Sequence, residues 1–318
     1  MFSRPEINSA VTHGNFALEK VLRDVVTMQS YPVTSGNVYM VAPTTATYYP
    51  YLVKELKGSN RDGTARLYNT VSDCLDAIRA LIVWTDTPWQ RHDIVYIAPY
   101  TYAEAIDGLP YSNVSLIGLG GLGPDGGVKI KPAALAGSAV AASYANGLHL
   151  ANIRFETPDA SEEAFNVSYL GNFLIENCEF VATTTGTAFY TGNAKEGKIL
   201  NSKFRGGSYG MYFAGGADKY LYSVDILGNH VIDSTTAGIY VQNTCTASES
   251  RIAHNTIRSA SNIKGIDENN GNAIVEFNSI YVGGSGDAIE HAGGDAKMNW
   301  NYVNVNGTCA IEPDVSQF

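Results

Sequence analysis

One six-residue pattern recurs seven times in the second half of the chain, and it restricts the fold more than any other feature. It reads Leu-Ala-Asn-Ile-Arg-Phe at 150–155, Ile-Glu-Asn-Cys-Glu-Phe at 175–180 and Ile-Leu-Asn-Ser-Lys-Phe at 199–204. It continues as Ile-Leu-Gly-Asn-His-Val at 226–231, Ile-Ala-His-Asn-Thr-Ile at 252–257, Val-Glu-Phe-Asn-Ser-Ile at 275–280 and Met-Asn-Trp-Asn-Tyr-Val at 298–303. The closing apolar residues, Phe155, Phe180, Phe204, Val231, Ile257, Ile280 and Val303, stand 25, 24, 27, 26, 23 and 23 residues apart. Five residues before each lies Leu150, Ile175, Ile199, Ile226, Ile252, Val275 or Met298. A further apolar position follows in every repeat, at Phe165, Phe189, Met211, Ile239, Ile266, Ile289 and Ile311, usually after a small residue. A unit of two or three short strands cannot cover its own apolar face, and stacking identical turns buries one continuous column. The expected fold is all-β: a right-handed parallel β-helix, one turn per repeat, rising about 4.8 Å per turn. Leucine-rich repeats have a similar period but carry a Leu-rich helical segment that is missing here.

An Asn falls between the two apolar columns in every repeat: Asn152, Asn177, Asn201, Asn229, Asn255, Asn278 and Asn301. A spacing of five breaks strict alternation, so the chain must bend there. Asn tolerates the left-handed backbone of such a bend, and stacked amides hydrogen-bond from rung to rung. These seven are expected to form a structural asparagine ladder.

Side chains alternate along a strand, so the residue after each member of the third apolar column points outward. Read along the stack, these residues are Asn166, Tyr190, Tyr212, Tyr240, Asp267, Glu290 and Glu312. Carboxylates one rung apart repel, which raises a pKa or calls for a cation. About 5 Å is also the carboxyl separation of a retaining glycosidase, and aromatic rings make natural sugar platforms. Asp267 and Glu290 are the candidate catalytic pair, and Tyr190, Tyr212 and Tyr240 the candidate carbohydrate-binding residues. The plainer reading is a solvated stripe. The other outward column, Arg154, Glu179, Lys203, His230, Thr256, Ser279 and Tyr302, alternates in charge at its start, as cross-strand pairing favours.

Ahead of the repeats, residues 70–82 carry apolar side chains at helical spacing with Thr70 or Ser72 as N-cap. The strand Asp93-Ile-Val-Tyr-Ile-Ala-Pro and the segment Val114-Ser-Leu-Ile-Gly-Leu-Gly follow. This succession resembles the opening turns of pectin-lyase-like β-helix proteins, in which the helix plugs the open N-terminal end. The resemblance spans roughly residues 65–318 and implies fold rather than activity. Residues 1–60 lack the repeat, hold a short helical pattern at 16–26, and pass through Tyr48-Tyr-Pro-Tyr-Leu52 to a polar, Gly-containing stretch. With Val41-Ala-Pro-Thr-Thr45, this layout resembles the β-helix proteins of tailed phages, capsid-associated or tailspike-like. The domain reading is therefore an N-terminal arm or anchor over 1–60, a cap helix and first turn over 61–110, and the β-helix over 111–318. Too few residues follow Ile311 to form a capping helix. That exposed end, with unpaired backbone and open core, predicts cover by another subunit, a homotrimer as in spikes.

Composition narrows the function classes. The chain has 318 residues, 21 basic against 31 acidic, a net charge of −10, and no Lys/Arg run, which argues against a nucleic-acid partner. No apolar stretch reaches the length of a membrane span and the N-terminus has no signal-peptide pattern, so synthesis in the host cytoplasm is expected. Cys74, Cys178, Cys245 and Cys309 lie far apart, without a CxxC, and read as reduced buried thiols. No cofactor or metal is called for. Gly118-Leu-Gly-Gly-Leu-Gly123 is not followed by a helix pattern and reads as a turn rather than a phosphate loop. Regular turns with few inserted loops leave little material for a deep sugar cleft. The leading expectation is a non-catalytic phage virion protein, capsid-decorating or a short spike, joined to capsid or tail proteins through residues 1–60. The alternatives are a tailspike-like polysaccharide hydrolase or lyase acting on host surface glycans, and a carbohydrate-binding module.

Overall fold

A computed structural model describes residues 36–312, apart from 61, 83–90, 112, 123–125, 134–136, 217–218, 243–244, 261–262, 269–271, 284–285, 292–296 and 306–310. The chain is a right-handed parallel β-helix. A nine-stranded sheet, running from Tyr100–Tyr102 to Tyr302–Val305 with one strand per turn, sets the number of turns. This sheet is called the second ladder. The first ladder precedes it in each turn, from Val38–Val41 and His92–Ile97 up to Lys297–Asn299. The third follows it, from Ile106–Asp107 to Ile311–Glu312. A short fourth ladder, at Ala145–Asn146, Leu170, Ala194, Leu221 and Thr246–Ser248, leads back to the first in the middle turns.

Every apolar column stacks in register. Phe155 lies beside Phe180, then Phe204, Val231, Ile257, Ile280 and Val303. Leu150 leads through Ile175 to Met298, and Phe165 through Phe189 to Ile311. The core of the middle turns is aromatic. Phe155, Phe180 and Phe204 stack at 5.3 and 5.0 Å, and Phe165 and Phe189 stack at 5.1 Å. The two columns meet edge to face, with Phe180 at 5.7 Å from both Phe165 and Phe189. Offset and edge-on pairs each add about 0.5–1.5 kcal/mol beyond burial.

The small residue ahead of the third column has a steric cause. A Cβ on Gly238 would stand 2.6 Å from the Gly265 carbonyl oxygen and 2.6 Å from Cγ2 of Ile257. Gly265 is confined in the same way by Ala288 and Ile280. The third ladder therefore lies directly on the second-ladder core column, and bulk at this position would force them apart.

The asparagines divide into two sets, a distinction absent from the single ladder expected. Asn152, Asn177 and Asn201 lie three residues before the second-ladder core residue and have positive φ, 58°, 50° and 48°. They supply the left-handed turn. Gly228, His254, Phe277 and Trp300 hold the same position in the later turns, all with positive φ. Asn229, Asn255, Asn278 and Asn301 lie one residue further on and form the amide ladder. The Asn255 side-chain oxygen accepts from the Asn229 backbone N–H (2.9 Å) and amide (3.0 Å), and its own amide donates to Ile226 O (2.9 Å) and Asn278 Oδ1 (3.0 Å). Asn278 repeats the pattern onto Asn301 and Ile252. A left-handed residue other than Gly or Asn costs about 1–2 kcal/mol. The buried amides hold the bend where bulkier residues take that position.

Two helices belong to the N-terminal end. Helix α1, Tyr49–Glu55, buries Leu52 beside Met40, Ala98 and Leu119. Helix α2, Val71–Ala80, is capped by Thr70, whose hydroxyl accepts from the Asp73 N–H at 3.1 Å. The Glu104 carboxylate accepts from the N–H groups of Val71 and Ser72, both at 2.9 Å, which suits the positive end of the helix. Val71, Cys74, Leu75 and Ile78 enter the same core as the solenoid columns, so α2 closes the first turn. The arm expected over 1–60 does not extend that far. Val38–Val41 pairs along its length with His92–Ile97, its buried side chains continuing the solenoid core. The boundary was invisible because a single Val-Tyr-Met-Val rung carries no repeat signature. The helical pattern at 16–26 and the residues after Glu312 lie outside the described residues.

Candidate functional site

The outward stripe of the third ladder has the register expected: Asn166, Tyr190, Tyr212, Tyr240, Asp267, Glu290 and Glu312 are consecutive partners. The tyrosines form a cluster of half-buried rings rather than a row of open platforms. Tyr190 meets Tyr212 edge-on at 5.3 Å, and Tyr212 lies 5.1 Å from Tyr240. Tyr209, which sequence reasoning passed over, locks the group: it stacks on Tyr240 at 5.1 Å and touches Tyr212 at 4.9 Å. The Tyr212 hydroxyl donates to Gln242 Oε1 at 2.8 Å. Burial, and then the neighbouring phenols, push Tyr212 up to about 12, and burial also raises Tyr190 and Tyr240. The cluster therefore presents neutral hydroxyls and ring edges.

Asp267 and Glu290 are direct register partners on adjacent rungs, and a third group joins them. Lys264 Nζ stands 2.9 Å from Asp267 Oδ2 and 2.5 Å from Glu290 Oε2. Partial burial works against the ammonium, but the hydrogen bonds and charges of Glu290 and Asp267 outweigh it and raise the Lys264 pKa. The cation that the carboxylate pair calls for is thus a lysine of the same strand. Asp267 is nearly buried and Glu290 only partly exposed. Both carboxylates are thus engaged by the Lys264 ammonium. Lys264 escaped the sequence reading because it lies at the strand start, outside the column that was followed.

Next to this triad, the third ladder carries charge into the core. Glu268 and His291 continue the inward column of Phe213 and Val241, and His291 Nδ1 lies 2.6 Å from Glu268 Oε2. Glu268 is fully buried and its Oε1 has no hydrogen-bond partner. Burial raises its pKa, partly offset by His291. No group of three or more His, Cys, Asp or Glu among the described residues is arranged to hold a metal ion. Cys74, Cys178 and Cys245 are buried free thiols whose pKa burial raises, Cys178 and Cys245 to about 12. An open groove of about 490 Å³, lined by Phe173, Leu174, Glu196, Lys198, Asp225 and Glu249, lies at the bend between the fourth and first ladders, away from the stripe.

No protein-family model matches the chain, and no curated protein does. Among solved structures it is similar to YbhC of Escherichia coli, at 12% identity and a TM-score of 0.49, over 85% of this chain and 84% of that one. It is also similar to the pectin methylesterase of Aspergillus niger in two deglycosylated forms, at 15% and 14% identity and TM-scores of 0.45 and 0.46, over 91% of this chain and 90% of each. At these identities the likeness concerns chain path, and it assigns neither a substrate nor a residue role to this chain.

Proposed function

We propose that this chain is a non-catalytic β-helix that presents the tyrosine face of its third ladder to a host surface glycan, as a structural component of a virion joined through its N-terminal region. The observation that carries the non-catalytic reading is Lys264 between Asp267 and Glu290. General acid catalysis needs one carboxyl able to give up a proton beside the substrate, and a retaining mechanism needs the other free to attack. A lysine bonded to both carboxylates opposes both roles. Among the described residues, the rungs of the third ladder stand in direct register with one another, which suits a flat face better than a cleft. The virion setting rests on the layout of arm, cap helix and stacked turns.

A second reading, a polysaccharide hydrolase or lyase of tailspike type, is favoured by the adjacency of Tyr240 to Asp267 in the ladder register. Glycan-array binding with the full chain separates a binding face from an inert one. Wild type should retain host capsule or lipopolysaccharide oligosaccharides, and Tyr212→Ala with Tyr240→Ala should release them. Binding that survives this double substitution would remove the tyrosine cluster from the account.

A further inference from the structure

The outer surface of the second ladder changes character along the solenoid. In its early turns it is a lattice of charges: Lys131–Glu156 at 2.5 Å, Arg154–Glu156 at 2.8 Å, Arg154–Glu179 at 3.3 Å and Lys203–Glu179 at 3.6 Å. In the last three turns the segments 252–260, 277–283 and 297–305 contain no Asp or Glu. Aromatic residues and one arginine take over. Tyr281 lies 5.9 Å from Tyr302, and the Arg258 guanidinium sits 5.7 Å from the Tyr281 ring centre.

The bend that feeds these strands changes in the same turns. Where the earlier turns use Asn152, Asn177, Asn201 and Gly228, residues suited to positive φ, the later ones use His254, Phe277 and Trp300 at 58°, 54° and 54°. His254 and Phe277 stack with parallel rings at 5.2 Å. Trp300 is 80% exposed, Tyr302 56% and Phe277 44%, with Tyr281 and Ile274 at 36%. Bulky residues at a strained backbone position, with their surface left in water, contribute nothing to the isolated fold that Asn would not contribute better.

We propose that this corner of the last three turns, centred on Phe277, Trp300 and Tyr302, is the face through which copies of this chain associate with one another. Aromatic and arginine side chains with carboxylates removed are the composition of an interface centre. The area also fits. With 150–250 Å² per aromatic side chain, the exposed fractions of the four aromatic residues come to roughly 430 Å², and Ile274 extends the patch toward about 500 Å². Two such patches face to face bury about 1,000 Å², which reaches the lower bound of a specific interface. In a chain of net charge −10, the one carboxylate beside this corner, Glu276, is paired with Arg251 at 2.6 Å, so two copies meet there without opposing free carboxylates. This inference stands whether or not the tyrosine cluster contacts a glycan.

Sedimentation velocity of the full chain across the micromolar range tests it. Wild type should self-associate with rising concentration. Trp300→Asn and Phe277→Asn should weaken association by roughly 30-fold, about 2 kcal/mol, as truncation of a central interface aromatic does. Asn also suits positive φ, so the monomers of both variants should melt no lower than wild-type monomer, an outcome that a purely structural role would not produce. Tyr302→Ser, at a strand position free of that backbone constraint, serves if the corner variants misfold. Tyr222→Ser, an exposed tyrosine on the fourth ladder, should leave association unchanged. A wild type that stays monomeric throughout, or corner variants that associate like wild type, would overturn the proposal. So would a monomeric wild type whose Trp fluorescence responds to a soluble oligosaccharide, which would assign the corner to a sugar.

Discussion

The division of the asparagines makes a quantitative prediction, because two residues of one type, each at the bend of its own repeat, should differ severalfold in worth. Asn255 is buried and its side chain takes part in four hydrogen bonds. Asn255→Ala removes all four and strands the buried Ile226 carbonyl and the Asn229 backbone N–H. At about 1 kcal/mol net per bond, the four bonds put the loss at about 4 kcal/mol. Asn177 is exposed and acts through its backbone, at φ 50°. Asn177→Ala should cost only the left-handed penalty, about 1–2 kcal/mol, and Asn177→Gly close to nothing. Equilibrium urea unfolding, followed by far-ultraviolet circular dichroism, measures all three. Equal losses in Asn255→Ala and Asn177→Ala would refute the assignment of ladder to one set and turn to the other.

Three further outcomes follow from the same geometry. Phe180 touches Phe155, Phe165, Phe189 and Phe204, so Phe180→Ala should cost about 3–5 kcal/mol and lower the urea midpoint accordingly. Lys264→Met leaves Asp267 and Glu290 facing each other, and should cost about 1 kcal/mol at neutral pH after allowance for partial exposure. That loss should vanish in acid, where the carboxylates are protonated, and a loss of the same size at both pH values would count against the triad. Glu268 has a folded-state pKa raised, first by burial, above its ordinary 4.5. The folded state holds that proton longer than the unfolded chain, so its contribution to stability falls as pH rises from 4.5 through the folded value. Stability of Glu268→Gln relative to wild type should therefore improve with rising pH across that window, and a constant difference would show that the buried carboxyl is not what titrates.

What could be read from the residues was what repeats. Phe155 to Val303, Leu150 to Met298 and Phe165 to Ile289 stack as their spacing requires, because strand alternation leaves a large apolar side chain one face to occupy. The outward stripe from Asn166 to Glu290 follows from the same arithmetic. Features that depend on a single rung were hidden. Val38–Val41 joins the first ladder without an Asn or a repeat to mark it. Lys264 reaches across a rung to Glu290 by the course of a flexible side chain, which spacing does not encode. Tyr209 lies at a strand start, three residues ahead of Tyr212 in the outward stripe. The two asparagine sets differ by one residue in distance from the core position, three against two. That offset becomes legible once the bend is known to hold one left-handed residue followed by one buried residue.

If Lys264 holds the Asp267–Glu290 pair out of chemistry, this face binds glycan without cleaving it. The most direct measurement is turnover of the glycan that the full chain retains, followed both by reducing-end release and by the ultraviolet absorbance of unsaturated products. Bound glycan recovered at its original length, with neither signal above a protein-free control, is the predicted result. Chain cleavage by wild type that Asp267→Asn or Glu290→Gln abolishes would contradict it and make this face an active site.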